Sequence, residues 1–218
     1  KSKVQTRSSI PRSTVKNKNI KEKSEFRHLH DRIRLAVSGA AQTAHCGPSS
    51  TEQALLMGRE IARQNAILVH GATTGIPLWA ARGAKEEGGV VIGLSPADGE
   101  EEHLRHYKLP LDYMDLVIYT GQGYPGRDLL MTRTADAVLI GCGRIGTIHE
   151  FTIAFEDRKP IGILSGVHDT DEIIKLIIEK SNRAEDNPDI VFESDPRLLV
   201  EKVIEMVMVN KAKIKKFR

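Results

Sequence analysis

Between Gly126 and Glu150 the chain reads GRDLLMTRTADAVLIGCGRIGTIHE, and this stretch holds the residue types best spaced to do chemistry. Ala137-Val138-Leu139-Ile140 is a short apolar run of the kind buried on both faces of a parallel sheet. Gly141, Gly143 and Gly146 follow it, and glycines there let the backbone turn tightly and approach a ligand. The pattern predicts a helix from about Thr147, whose unpaired N–H groups and positive dipole end face the turn and suit an anion, most naturally a phosphate. Glu150 falls one turn into that helix and Arg127 precedes the strand, so these two charges and the loop between them form the expected working site. At a helix N-terminus the dipole favours the charged form of Glu150, which makes it a base or an electrostatic stabiliser. A second reading stays open: Thr147-x-x-Glu150 also fits a capping box, and glycine after a strand is ordinary turn chemistry.

The elements that must position these residues recur along the chain. Apolar runs at 33–37, 66–69, 90–94, 116–119, 137–140, 160–164 and 190–192 read as strands. Between most of them lie helical patterns, at about 51–62, 77–87, 170–180 and 196–209, with one helix before the 137–140 strand and one after it. Such alternation predicts a doubly wound α/β fold with a parallel sheet of about seven strands and helices on both faces. Gly39, Gly71, Gly121 and Gly141 close four of the strands, all at the carboxyl edge where open α/β sheets bind ligands. Ser38 and Gly39 can wall the site, and the run Gly71-Ala72-Thr73-Thr74-Gly75 can cradle the other side of the ligand. Residues 97–115 are less regular and rich in charge, with His103, His106 and Tyr107 among them, and suit a lid or one pocket wall.

Composition sets the rest. The 218 residues suffice for one domain, expected at 32–210. Residues 1–30 carry nine Lys/Arg against two Glu, and the remainder carries 23 against 27, so the basic character belongs to a tail. That tail (1–31) and the C-terminal 211–218 (KAKIKKFR) read as solvated extensions, with nucleic-acid or membrane-surface contact as the less favoured alternative. No apolar run reaches bilayer-spanning length, so a cytoplasmic protein without membrane contact is expected. Cys46 and Cys142 both follow strands and can meet at one edge; a redox pair or metal site is open, but two free thiols are expected. No metal or cofactor is anticipated, since nothing has metal-ligand spacing.

Over residues 32–210 the chain resembles the LOG family of Rossmann-like proteins (once labelled "possible lysine decarboxylase") within the wider SLOG group. The resemblance rests on Gly71-Ala72-Thr73-Thr74-Gly75, Arg82-Gly83-Ala84, Gly93-Leu94-Ser95-Pro96, Lys159-Pro160 and the run Cys142 to Glu150, which matches the family's PGGxGTxxE. The family's essential arginine falls on Arg127, nine residues before Asp136; Met131 and Arg133 also fall on family positions. The resemblance implies hydrolysis of a nucleoside 5′-monophosphate to free base and ribose 5-phosphate, by a homodimer. It assigns catalysis to Glu150 and Arg127. Gly143, Arg144, Gly146, Thr147 and Arg133, with Gly71, Thr73, Thr74, Gly75, Ser38 and Gly39, would bind the nucleotide. Other SLOG proteins bind without catalysis, as sensors, molybdenum-cofactor carriers or DNA-processing factors, so a non-catalytic phospho-ligand carrier is the alternative. The chain departs from the LOG signature at Cys142 (for Pro), Arg144 (for Gly) and Asp128 (for Lys), and its Gly143-Arg144-Ile145-Gly146-Thr147 loop is similar to an uncharacterised bacterial branch.

Overall fold

Most of the apolar runs become strands because their β-branched and leucine side chains can be buried on both faces of a parallel sheet, whereas the run at 116–119 forms an edge strand with Leu116 and Ile118 exposed. The computed structural model describes residues 32–166 and 168–215; the basic extension expected at 1–31 lies outside them. The strands are β1 (Arg34–Ser38), β2 (Ile67–His70), β3 (Val90–Ser95), β4 (Leu116–Tyr119), β5 (Ala137–Ile140), β6 (Ile161–Leu164) and β7 (Ile190–Glu193). The helices between them are α1 (Ser50–Arg63), α2 (Ile76–Glu86), α3 (Glu100–Arg105), α4 (Gly123–Thr134), α5 (Ile145–Glu156), α6 (Thr170–Ser181) and α7 (Pro196–Lys215). All neighbouring strands are parallel, in the order β4-β3-β2-β1-β5-β6-β7.

The period-two alternation of strand side chains divides the core in two. Leu35, Val37, Leu68 and Leu139 pack under α1, α2 and α7. Ala36, Val69, Val138 and Ile140 pack under α4, α5 and α6. Phe151 of α5 is 1% exposed, and burial of a side chain that size contributes about 2–3 kcal/mol. On the first face α1 and α2 meet backbone to backbone. A Cβ on Gly58 would stand 1.8 Å from the Ala80 carbonyl oxygen, and one on Gly83 would stand 2.0 Å from that of Leu55. This close seat fixes the start of α2, which borders the site.

Three local readings change. Helix α5 starts at Ile145, two residues earlier than expected. Helix α7 runs to Lys215, through the first residues of the expected C-terminal tail. The 97–115 segment contains α3 and an anchored histidine instead of a free lid. His103 is buried; its Nε2 donates to the Pro110 carbonyl (3.0 Å), which leaves Nδ1 to accept from the Ser95 hydroxyl (2.8 Å). Tyr107 packs edge-on against Tyr124 with ring centroids 5.4 Å apart, so the segment braces a pocket wall from behind.

Candidate functional site

Strand order reverses direction at β1, which has β2 on one side and β5 on the other. The chain therefore leaves the carboxyl ends of β1 and β5 in opposite directions and opens a crevice between them. A cleft of about 310 Å³ lies there. Its walls are the loop after β1, the loop after β2, the first turns of α2 and α4, and the start of α5.

Glu150 forms the floor. It is 7% exposed and sits on the second turn of α5, where its carboxylate accepts a hydrogen bond from the Ser38 hydroxyl at the end of β1. Burial pushes its carboxyl up to about 8; the Arg127 charge opposes the rise and the nearby Asp128 carboxyl adds to it. This upward push runs against the expectation that the helix dipole holds Glu150 ionised. The dipole argument assumed a first-turn, solvated side chain, whereas the earlier helix start moves Glu150 deeper, where desolvation raises its pKa. The capping box fails for the same reason. The N-cap residue is Arg144, no side chain caps α5, and Glu150 points to Ser38. Thr147 instead stands over Gly143, where a Cβ would come within 2.1 Å of its Oγ1.

Arg127 and Asp128 come from α4 and are both buried. The Arg127 Nε is 3.0 Å from Asp128 Oδ1 yet lacks hydrogen-bond alignment, so the pair is held by charge and the N–H remains unsatisfied. The Nη1 end of the guanidinium occupies the space beside Gly71; a Cβ there would fall 1.3 Å from Nη1. The Tyr124 ring lies 5.7 Å from the guanidinium carbon and lines the cleft. Asp128 Oδ2 is 2.9 Å from His149 Nδ1 on α5, which ties the two helices.

His70 ends β2, directly before Gly71, and is fully buried. Among the described residues neither of its ring nitrogens has a partner. Burial, assisted by the Arg127 charge, lowers its pKa to about 3 and keeps it neutral. Sequence reasoning gave no role to His70 and noted Asp128 only as a departure from the LOG signature. The available signal was position: a histidine at the carboxyl end of a central strand, and a carboxylate beside the expected arginine. The next residue but one, Ala72, has φ 46, a left-handed conformation that a non-glycine residue adopts at a cost of about 1 kcal/mol or more and that clusters at functional sites.

The other expected residues divide. Ser38 meets Glu150, while Gly39, Gly71, Thr73, Arg144, Gly146 and Thr147 line the cleft. A Cβ on Gly146 would meet nothing within 4 Å, so the first turn of α5 is open to a ligand. Thr74 and Gly75 build the wall instead: the Thr74 hydroxyl donates to the Ala41 carbonyl (2.9 Å), and Gly75 (φ 70) abuts the Ala40 carbonyl. Gly143 turns its N–H away to the Thr170 hydroxyl (2.9 Å). Arg133 lies off the cleft, with a side chain 60% exposed and paired with Asp157 at 3.0 Å. Asp136 sits at the opposite edge of the sheet, where it accepts from the Arg34 backbone N–H (2.8 Å) and from Lys211 (2.9 Å).

The cysteines are not free thiols. Cys46 and Cys142 form a disulfide across 96 residues, with Cα atoms 5.9 Å apart. Adjacent parallel strands deliver their following loops side by side, so the pairing of β1 with β5 brings the two sulfurs together. His45 Nε2 lies 3.8 and 3.7 Å from the two sulfurs. Among the described residues no helix is long and apolar enough to cross a membrane.

Comparison with known proteins agrees with this architecture. An uncharacterised protein of Archaeoglobus fulgidus is 28% identical over 132 residues, covering 61% of this chain and 82% of its own. The molybdenum cofactor carrier protein of Chlamydomonas reinhardtii superposes with a TM-score of 0.65 at 22% identity, covering 82% of this chain and 99% of that one. The molybdenum cofactor binding protein of Rippkaea orientalis gives 0.63 at 23% identity, with 82% and 96% covered. DNA processing protein A of Helicobacter pylori is more distant in structure, at 0.56 and 18% identity over 81% of this chain and 83% of that one. These structural likenesses establish a shared fold. The SLOG cluster4 family model matches residues 32–199, most of the chain, and the protein belongs to that family.

Proposed function

We propose that the cleft binds a nucleoside 5′-monophosphate and that the protein hydrolyses its N-glycosidic bond, as the resemblance to LOG proteins implies. The observation that carries this reading is geometric: Glu150, Asp128 and Arg127 are buried together and line the cleft. The open first turn of α5 and the Arg144 side chain offer N–H dipoles and positive charge to the phosphate. The transition state is oxocarbenium-like. Glu150 donates its proton to the departing base nitrogen as the C1′–N bond breaks. Asp128 stabilises the sugar cation and takes a proton from the water that adds to C1′. The proton then returns from Asp128 to Glu150 across their contact, and base and ribose 5-phosphate leave. The Arg127 charge opposes the rise of the Glu150 pKa, and Ser38 orients Glu150.

Release of free base from a panel of nucleoside monophosphates tests the reading. The wild type is expected to turn over at least one of them, and Glu150→Gln to lower the rate by roughly 10²-fold or more. Turnover that persists in the variant would remove Glu150 from the chemistry.

A second reading is favoured by Arg144 at the cleft mouth and by fold neighbours named as molybdenum cofactor carriers: a binding protein that holds a phosphorylated ligand without cleaving it. It predicts thermal stabilisation by such a ligand with no base released. We also propose a homodimer, because α4 and α5 expose an apolar face beside the cleft. It includes Tyr124 (47% exposed) and Ile145 (84% exposed), with Pro125 and Ile148 between them. The expected compartment is the cytoplasm, and nucleic acid is not the proposed ligand.

A further inference from the structure

We propose that His45, Cys46 and Cys142, once the disulfide is reduced, bind a thiophilic d¹⁰ cation of the Zn²⁺ type, with His168 as the fourth donor. This site is separate from the nucleotide cleft and does not depend on how that cleft is read. The donor atoms of the first three residues lie within 4.8 Å of one another. In a tetrahedral zinc site with Zn–S near 2.3 Å and Zn–N near 2.0–2.1 Å, an N···S edge is about 3.6 Å long. The His45 Nε2 already stands 3.8 and 3.7 Å from the two sulfurs, close to that edge.

The surroundings fit a soft site that runs inward from the surface: His45 is exposed, Cys46 half-buried and Cys142 buried. His45 and Cys142 line a second cavity, of about 460 Å³, together with His168, Asp169 and the apolar Ile145 and Ile148. Among the described residues neither ring nitrogen of His168 has a hydrogen-bond partner. Two thiolates and two imidazoles select zinc or cuprous copper over hard cations such as Mg²⁺ or Ca²⁺.

The disulfide and the metal exclude each other. A dithiol reductant supplies two electrons and two protons: the Cys46–Cys142 bond breaks, each sulfur becomes a thiol, and the reductant leaves as its own disulfide. Zn²⁺ then displaces both thiol protons to solvent and forms two Zn–S bonds. In either state the loop after β1 is tied to the loop that leads into α5, by a covalent bond when oxidised and by a cation when reduced.

Cobalt(II) is the probe. The full chain, reduced with dithiothreitol, desalted without air and titrated with Co²⁺, is expected to bind one equivalent. Tetrahedral d–d bands and a sulfur-to-cobalt charge-transfer band should appear, and one equivalent of Zn²⁺ should bleach them. The oxidised wild type, a folded protein with the sulfurs occupied, should show neither band. Cys46→Ser should weaken cobalt binding at least about 100-fold; His45→Ala and His168→Ala should each weaken it by about 10-fold or more and keep a charge-transfer band. A reduced wild type with no charge-transfer band overturns the site. So does a Cys46→Ser/Cys142→Ser double variant that binds cobalt as tightly as the wild type. Undiminished affinity in His168→Ala overturns the fourth ligand.

Discussion

Burial moves the Glu150 proton toward a range where a neutral-pH reaction can use it, and its neighbours Arg127 and Asp128 adjust where in that range it lies. Desolvation raises the pKa to about 8, the Arg127 cation opposes the rise, and the Asp128 carboxyl reinforces it. The sign of each contribution is testable one side chain at a time. Replacing Arg127 with Met removes a charge that favours the ionised form, so Glu150 should hold its proton to still higher pH. Carbon-13 titration of the Glu150 side chain reads this directly. The alkaline limb of the base-release profile should move the same way, with a lower kcat. A midpoint that stays put or falls would mean that Arg127 does not act on Glu150 electrostatically.

At the scale of elements, α4 and α5 do two jobs: they bring Arg127, Asp128 and Glu150 to the cleft, and they carry the apolar surface around Ile145. A side chain 84% exposed at the first turn of a helix contributes nothing to the monomer core, so Ile145→Asp should leave thermal stability nearly unchanged. If that face joins two copies, sedimentation velocity should show the wild type as a dimer and the variant shifted toward monomer. A wild type that sediments as a monomer would end the dimer proposal. Elements were also what the sequence displayed best. Apolar runs and glycine punctuation place all seven strands within one residue of their observed positions, and the signature is plainest where a strand such as β2 or β5 is buried on both faces. The short helix α3 left no such trace, being one and a half turns of charged residues. Glu150 was located by its place in a motif, but the upward push on its pKa was not legible there, since burial is a property of the assembled fold. The disulfide was illegible for a related reason: nothing local connects Cys46 to Cys142, and only the pairing of β1 with β5 makes them neighbours.

Across the whole molecule, His70 and Glu150 shape the dependence of stability on pH in opposite directions. The His70 pKa is about 3 folded against 6.5 ordinarily, so acidification through this window protonates only the unfolded chain and lowers stability. The Glu150 pKa is about 8 folded against 4.5 ordinarily, so raising pH through that window ionises only the unfolded chain and also lowers stability. The two windows overlap between pH 4.5 and 6.5, where each contributes about 1.4 kcal/mol per pH unit with opposite sign, and they offset. Urea unfolding of the wild type should therefore show little slope there from these groups. His70→Leu should unmask the Glu150 contribution, with stability rising by about 1.4 kcal/mol for each unit of acidification across that window. A variant as flat as the wild type would show that the buried imidazole does not govern the acid side.

The strand register also orders events during synthesis. Leu35 pairs with Ala137, and Ser38 with Ile140, so the central seam of the sheet joins segments about a hundred residues apart in the chain. A nascent chain that has emerged only through Tyr119 has β1 to β4, which can pair with one another, but it lacks β5 and both helices that carry Arg127 and Glu150. Closing so long a loop is entropically slow, and parallel pairings of this kind fold late. Neither ligand nor cation can therefore help the first half of the protein to fold: the cleft and the cysteine pair come into being together, when β5 slides in beside β1.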